Sequence, residues 1–394
     1  MSKYDICIIG GGASGMTAAI TAKQQNQDLK VVILEKKEEL GKKICATGNG
    51  RCNLMNTECE FVPPILAFFD SVGIVTRAEA EGRVYPYAGE ASQVVEAFVQ
   101  QINTLGVEVI CNETVEAVEK TADGFAVTAA SGNKYETAKL IIACGGKAAP
   151  QFGTTGDGYA WVRSLGHTVT KLSPALAPIE LADYEGLKGV RSKGSVTLIK
   201  NDQLVKREDG EIQFTETGIS GIAVFNLSRY IRYEEDETPE EGISKYAVAI
   251  DFMPEIEETM AVEFLKHRCT YKGFTLVDAL RTLVDTKVAE MLVKKADIAL
   301  DKLAADATEE EISRLAGKMK ICQLPVAGVG GWKTAQCTAG GVPVREVTLA
   351  TMHSNKVDGL YLIGEILDYD GPCGGYNLQN AWETGIKAGM DASK

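Results

Sequence analysis

Hydrophobic and polar positions change period several times along the chain, and each change marks an element. Ile6 to Ile9 is an unbroken apolar run, the pattern of a strand buried on both faces. It meets Gly10-Gly11-Gly12-Ala13-Ser14-Gly15, after which small and apolar residues continue as a helix to about residue 27. Val31 to Leu34 repeats the buried-strand pattern, and helical spacing follows at 63–73 and 91–105. From Val107 the period becomes two. Runs at 107–110, 114–119, 124–129 and 134–137 are separated by turn residues, the layout of an antiparallel meander. The meander feeds a second buried run, Ala138 to Cys144, ending in Gly145-Gly146. A helix is predicted through Leu165, and Ser173 to Pro178 reads as an extended exit.

Short alternating runs at 194–200, 204–206, 211–214 and 246–251 then predict a small β-barrel or sandwich. Residues 255–320 switch to helical spacing, with helices at 257–267, 276–285 and 287–292 and a capped acidic start at Thr308-Glu309-Glu310-Glu311. A last strand leads into Gly364-Glu365, the loop 371–375 and a helix from Tyr376 to about Ala388. The pattern divides the chain into 1–189, a β insertion at 190–254, a helical insertion at 255–335, and a return at 336–394. The class is α/β, with a β-barrel plus helical domain inserted into it. At 394 residues the chain is long enough for more than one core.

Chemistry enters at the glycines. Gly10-x-Gly12-x-x-Gly15 between a strand and a helix is the dinucleotide fingerprint: a tight turn, close backbone approach to a pyrophosphate, and close helix–strand packing. Free N–H groups at the helix start then face the phosphates. Glu35 closes the second strand twenty residues after Gly15, where an acid hydrogen-bonds a ribose diol and repels a 2′-phosphate. The polar segment 41–53 is long for a nucleotide-binding connection. Gly48 and Gly50 permit close approach, and Lys42, Lys43 and Arg51 offer charge to a phosphate or an anionic ring. The turn 81–86 carries Tyr85. A meander returning to a Cys144-Gly145-Gly146 strand end, with Gly364-Glu365 before a late helix, is the habit of a Rossmann-like FAD-binding domain of the glutathione-reductase type. There the carboxylate meets the ribityl chain, and the helix N-terminus faces the pyrimidine side of the flavin. NAD alone would not account for this second signature.

The formal charge of −13 argues against a sequence-independent grip on nucleic acid. No apolar run approaches the ~18 residues of a membrane span. The first residues lead straight into a strand with no signal-peptide pattern, so a cytoplasmic protein is expected. The ten cysteines include no C-x-x-C pair, and Cys45, Cys52 and Cys59 match no usual zinc or redox spacing. Free thiols in a reducing compartment are expected, and the three scattered histidines suggest no metal site.

The segments at 41–53, 81–86, 155–159, 217–221, 338–342 and 364–381 together resemble the BaiN-like (YhiN-like) flavoproteins, also described as aminoacetone-oxidase-like, over nearly the whole chain. The resemblance implies non-covalent FAD. It implies cofactor contacts from Gly10, Gly12, Ala13, Ser14, Gly15, Glu35 and Lys36, and from Lys42, Gly48, Asn49, Gly50, Arg51, Cys52 and Asn53. It adds the Val115 backbone at the adenine, Cys144, Gly145 and Gly146, and Gly364, Glu365, Asp368, Gly374, Gly375, Tyr376, Asn377, Leu378 and Gln379. Two positions depart from the family pattern: His353, where many relatives carry an acid, and Glu216, where His is frequent.

The expected activity is an FAD-dependent oxidoreductase passing hydride between flavin N5 and a small organic substrate. The resemblance suggests NAD(P)H-dependent reduction of a C=C bond conjugated to a ketone, as in bile-acid or steroid-like enones. Two alternatives stay open: an aminoacetone-type amine oxidase that uses O2 and releases H2O2, and a flavin-bound regulatory or RNA-associated module with the insertion as docking surface. Arg51, Tyr85, His353 and Tyr376 are the candidate proton donors or substrate ligands. Gly328-Val329-Gly330-Gly331 lacks a strand–turn–helix frame, so a pyridine nucleotide would visit the flavin face only transiently.

Overall fold

The apolar run at the N-terminus is buried because it lies inside a sheet. In the computed structural model, which describes residues 2–184, 186–234 and 236–394, strand β1 (Ser2–Ile9) pairs in parallel with β2 (Val31–Leu34) on one side and with Lys134–Ile142 on the other. Glu108–Ile110 extends the sheet beyond β2, and Leu360–Leu362 extends it beyond Lys134–Ile142, both in parallel. All five strands therefore deliver their carboxyl ends to one edge of the sheet, where open α/β sheets bind ligands. His353–Ser354 and Val347–Thr348 close the far side antiparallel. Helix α1 (Ala13–Gln25) follows β1, and the helix Tyr376–Ala392 packs along it. The two helices approach closely at Gly385 and Gly389, whose added Cβ atoms would lie 2.7 Å from the Ser14 carbonyl oxygen and 2.6 Å from that of Ala18.

The chain divides into two units, Met1–Ala175 with Trp332–Lys394, and Leu176–Gly331. Within the first, the meander and the buried run after it share one continuous strand, Lys134–Ile142. Its first residues pair antiparallel with Gly124–Ala129 while the whole strand lies parallel to β1. The sequence pattern suggests two pieces because side-chain burial changes midway, from one covered face to two.

A buried polar network ties the loop after helix Asp157–Ser164 to the antiparallel edge. The Nδ1 of His167 lies 2.7 Å from Glu346 Oε2, and its Nε2 lies 2.8 Å from Ser354 Oγ. Lys356 Nζ sits 2.9 Å from Glu346 Oε1. Burial alone would raise the Glu346 carboxyl, but hydrogen bonds from Thr168, Lys356 and His167 outweigh it and hold it at about 2. Burial pushes His167 below its ordinary 6.5 against the pull of Glu346. Both groups resist protonation in the folded state, so both signs agree. The unfolded chain takes up these protons first, and stability falls as pH drops through 6.5 and further through the ordinary carboxylate range. The urea midpoint is expected to decline steadily from pH 7 to pH 4, with the decline between pH 7 and 5.5 flattened in His167→Gln. An identical slope in the variant would remove His167 from the account.

The second unit contains a closed six-stranded barrel, in the order Ile179–Leu181, Gly218–Ser220, Gln203–Phe214, Arg191–Lys200, Tyr246–Asp251, Cys322–Val329. It departs from a β block at 190–254 followed by helices at 255–335. Its first strand precedes 190, its last follows the helices, and helix Ile222–Ser228 lies within the stretch that reads as β. Cys322–Val329 alternates buried and exposed positions, but Pro325 inside it argues against a strand when read alone. The barrel interior is apolar, with Val196, Leu198, Val248, Ile250 and Leu324 all inaccessible to solvent. The helix expected over 276–285 stops at Ala279, ahead of Thr282 with φ of 72°. Thr308 does cap its helix, accepting from the Glu311 N–H while Glu311 reaches back. Among the described residues no helix is long and apolar enough to cross a membrane.

Candidate FAD site

The turn after β1 lies at the carboxyl edge, and its glycines answer to different neighbours. A Cβ on Gly15 would stand 2.0 Å from the Gly10 carbonyl oxygen and 3.3 Å from Ala143 Cβ, so this glycine is required by the fold itself. Gly12 is the opposite case: a Cβ there would meet no protein atom within 4 Å. It is the N-cap of α1, has no side-chain cap, and the first turn at Ala13, Ser14 and Gly15 carries no acid. The N–H groups and positive helix end are left for an anion outside the protein.

Glu35 is fixed beside this turn. Its Oε2 accepts from the Gly11 N–H at 2.7 Å and its Oε1 from the Lys37 N–H at 2.8 Å. Each oxygen keeps a lone pair for a diol. The Glu113 N–H donates to the Glu35 carbonyl, bringing the start of the meander, with Val115, to the same end of β2. Lys36 donates to Thr155 Oγ1 and Asp157 Oδ2, both at 2.6 Å, so its ammonium is held by the following helix start.

On the other side of β1, Gly10 lies against Ala143 and Cys144, and Gly145-Gly146 continues along the edge. Burial pushes the Cys144 thiol up to about 12, which keeps it protonated and inert at neutral pH. Glu365 follows Leu360–Leu362 at this edge. Its Oε1 accepts from the Thr338 N–H, and its Oε2 from Lys43 Nζ, both at 2.8 Å. Gly364 donates its N–H to Thr384 Oγ1 and lies near Ser14.

Two of the expected residues turn elsewhere. Lys42 turns away to pair with Glu38 and Glu39, and Lys43, one residue on, reaches Glu365. His353 accepts from the Gly359 N–H at 3.1 Å and stacks edge-on against Tyr361. The His353 backbone lies opposite Tyr361, but the ring turns toward Gly359, at the beginning of Leu360–Leu362, and away from Glu365. Asp368 accepts from Thr170 Oγ1 at 2.9 Å. Lys43→Gln is expected to weaken FAD binding to the apoprotein about tenfold, the value of one charge-assisted hydrogen bond. Lys42→Gln should stay within about twofold, as for an exposed pair. Equal effects in a flavin titration would contradict the assignment.

Segment 47–53 winds through the left-handed region at Gly48, Asn49, Gly50 and Cys52 (φ 57°, 55°, 82° and 58°), and two of these are not glycine. Such strain is kept only where surroundings impose it. Asn53, its amide oxygen turned to the Gly375 N–H at 3.1 Å, donates to the Met55 and Val84 carbonyls. Asn56 donates from its backbone to Gln379 Oε1 (2.9 Å) and from its side chain to the Gly374 carbonyl (3.0 Å). These bonds seat the loop on the head of helix Tyr376–Ala392, whose N-cap Gly375 has no capping side chain and whose first turn has no acid. Asn377 closes the preceding loop through Gly371, and Leu378 packs on the core. The buried Gln379 Nε2 has no partner among the described residues. An orphaned donor at an uncapped helix head fits a bound group that offers acceptors there.

Arg51 stacks over the Tyr85 ring at 4.1 Å and donates to Glu79 at 2.5 Å. Tyr376 donates to Glu58 at 2.9 Å; burial first, then Glu58, pushes its phenol up to about 12, so it remains a proton carrier at neutral pH. Thr338 and Glu79 are partners of the candidate residues that local pattern did not single out, and Lys43, expected with Lys42 to offer charge, is the lysine that meets Glu365. Only their places beside Glu365 and Arg51 mark them.

An uncapped helix on a glycine turn, an acid held beside that turn and a second acid–helix pair at the same sheet edge define an FAD-dependent oxidoreductase. The chain belongs to the HI0933-like family, whose Rossmann-domain profile matches residues 4–64 and 61–391. It is 37% identical to the 3-dehydro-bile acid delta(4,6)-reductase of Clostridium scindens, over 99% of both chains. Ribosomal RNA dihydrouridine synthases are more distant: that of Escherichia coli is 29% identical over 99% of this chain and 98% of its own, and that of Haemophilus influenzae 26% over 100% of both. A solved 3-ketosteroid delta1-dehydrogenase from Sterolibacterium denitrificans has a similar fold, with a TM-score of 0.53 at 11% identity, covering both chains fully.

Proposed function

We propose that this protein reduces a carbon–carbon double bond conjugated to a carbonyl, with NAD(P)H as reductant. FAD, when bound, supplies the hydride carrier. The protein's own work is to hold that cofactor and to manage charge on the substrate. Hydride addition to an enone leaves negative charge on the carbonyl oxygen, which needs a fixed positive group and a proton source. The observation that carries the reading is Arg51, stacked on Tyr85 two residues from the Asn53 that grips the helix head. Tyr376, in the first turn of that helix, is a protonated phenol nearby in the fold. The full-length likeness to a reductase of 3-dehydro-bile acids supports the same chemistry.

A second reading keeps the chemistry and changes the carrier: the 5,6 double bond of a uracil in RNA is also conjugated to a carbonyl. The two dihydrouridine synthases favour it. Against it, residues 176–331 hold 28 acidic and 20 basic side chains, a poor balance for a polyanion. A small enone is the better fit. We also infer a reducing, cytoplasmic setting from cysteines such as Cys7, Cys52 and Cys322, which are buried as free thiols.

The test is anaerobic mixing of holoprotein with NADH or NADPH, followed at the flavin band. A steroid-like enone, unmodified ribosomal RNA, or aminoacetone with oxygen is then offered in separate arms. Flavin bleaching by NAD(P)H and reoxidation by the enone is the expected result. Peroxide from aminoacetone without any NAD(P)H reaction would replace the reductase with an amine oxidase, and reoxidation by RNA alone would move the substrate to the second reading.

A further inference from the structure

One exposed cluster in the first unit, outside the glycine turn, holds more positive than negative charge. Met55–Asn56, Thr76–Ala78 and Arg83–Pro86 form a three-stranded antiparallel sheet. Beside it Arg51 lies over Tyr85, and Arg77 lies over Tyr87 at 5.0 Å. Both guanidiniums converge on one carboxylate, Glu79, at 2.5 and 3.5 Å. Neighbouring Arg83 is already paired with Glu81. Two cations sharing one anion leave a positive charge uncompensated. Each guanidinium has five N–H donors and Glu79 only two oxygens, so donors remain on side chains that are 42% and 48% exposed. A typical surface ion pair has neither a second guanidinium nor an aromatic backing. Stacking on tyrosine holds the planar forks in place and ready for a carboxylate or phosphate. The cluster is joined to the helix head through Asn53 and Asn56.

We propose that Arg51 and Arg77, backed by Tyr85 and Tyr87 and balanced by Glu79, form a binding site for the anionic end of a molecule that exchanges hydride with the flavin. The ligand chemistry is a phosphate or carboxylate, from the reductant or from an acidic enone. The inference rests on the reductase reading above, but its first readout does not need turnover.

Inorganic pyrophosphate is titrated calorimetrically into FAD-loaded protein, whose glycine turn is already filled. Arg77→Gln is expected to weaken binding about tenfold, the loss of one charge-assisted contact. Glu79→Gln removes the shared counter-charge and is expected to tighten binding. A merely structural role would make both variants weaker, and that result overturns the site, as does unchanged binding in Arg77→Gln. The source is read next. If the reductant supplies the anion, Arg77→Gln raises the NADPH or NADH concentration needed for half-maximal flavin reduction and leaves the limiting rate alone. If the substrate supplies it, KM rises for a carboxylate-bearing enone and not for its methyl ester. A shift in pyrophosphate binding with neither kinetic response would refute the assignment to a hydride partner. Pyrophosphate binding without any enone turnover would leave the site standing and remove the proposed function. Enone turnover with unaltered pyrophosphate binding would remove the site alone.

Discussion

Gly12→Ala is expected to leave the apoprotein folded and nearly as stable as the parent while largely abolishing its grip on FAD. The new methyl group meets no protein atom within 4 Å, and the backbone there (φ −83°, ψ −166°) suits any residue. Its effect on stability should stay within about 0.5 kcal/mol, as for an uncrowded surface position. The methyl group instead occupies the approach of a pyrophosphate to the α1 N-terminus, and FAD affinity should drop on the order of a hundredfold, about 2.7 kcal/mol. Gly15→Ala separates the two roles. Its Cβ collides with the Gly10 carbonyl, so the turn must shift, costing stability by about 1–3 kcal/mol as overpacking does, and FAD binding falls with it. Urea unfolding of the apoproteins, paired with flavin titration, reads both. If Gly12→Ala bound FAD normally, the glycine turn would not be a phosphate cradle.

Trp382→Ala should have the largest effect on stability. The indole is fully buried, edge-on to Phe69 at 5.7 Å and tilted against Phe98 at 5.4 Å, and its Nε1 donates to the Leu54 carbonyl at 2.7 Å. Truncation of such a ring costs about 3–5 kcal/mol. Trp382→Phe keeps most of the packing and loses the donor, leaving a buried carbonyl unpaired at about 1–3 kcal/mol. Because Leu54 adjoins Asn53 and Asn56, both variants also loosen the loop that seats on the helix head, so FAD affinity should fall in the order Phe, then Ala. A midpoint for Trp382→Ala within about 1 kcal/mol of the parent, once converted through the m-value, would show that the helix does not anchor the loop as described.

Much of the site is legible in the chain because its requirements are local. A glycine every two or three residues between a buried strand and a helix states a backbone need, and Glu35 at the end of β2 lies in register with it. The Gly364-Glu365 pair before the last helix is readable in the same way. Orientation was not readable. Lys42 and Lys43 are adjacent on one short helical turn, so their side chains diverge by about 100°. Only the position of Glu365, more than 320 residues away in sequence, decides that the second of them reaches it. The direction of His353 was hidden for a related reason: a two-residue strand has too little pattern to reveal that its ring turns toward Gly359 rather than Glu365.

The residue pattern settled the glycine turn, the acid at the end of β2, the meander and the last helix, since strand period, helix period and glycine are properties of a few neighbouring residues. Tertiary structure decided how the barrel closes, with Ile179–Leu181 pairing Cys322–Val329 across some 140 intervening residues. It also decided that Asn53, Asn56 and Trp382 bind the early loop to the last helix. Those pairings are chosen by which buried polar groups and apolar faces can be satisfied at once, and that choice depends on the whole folded chain.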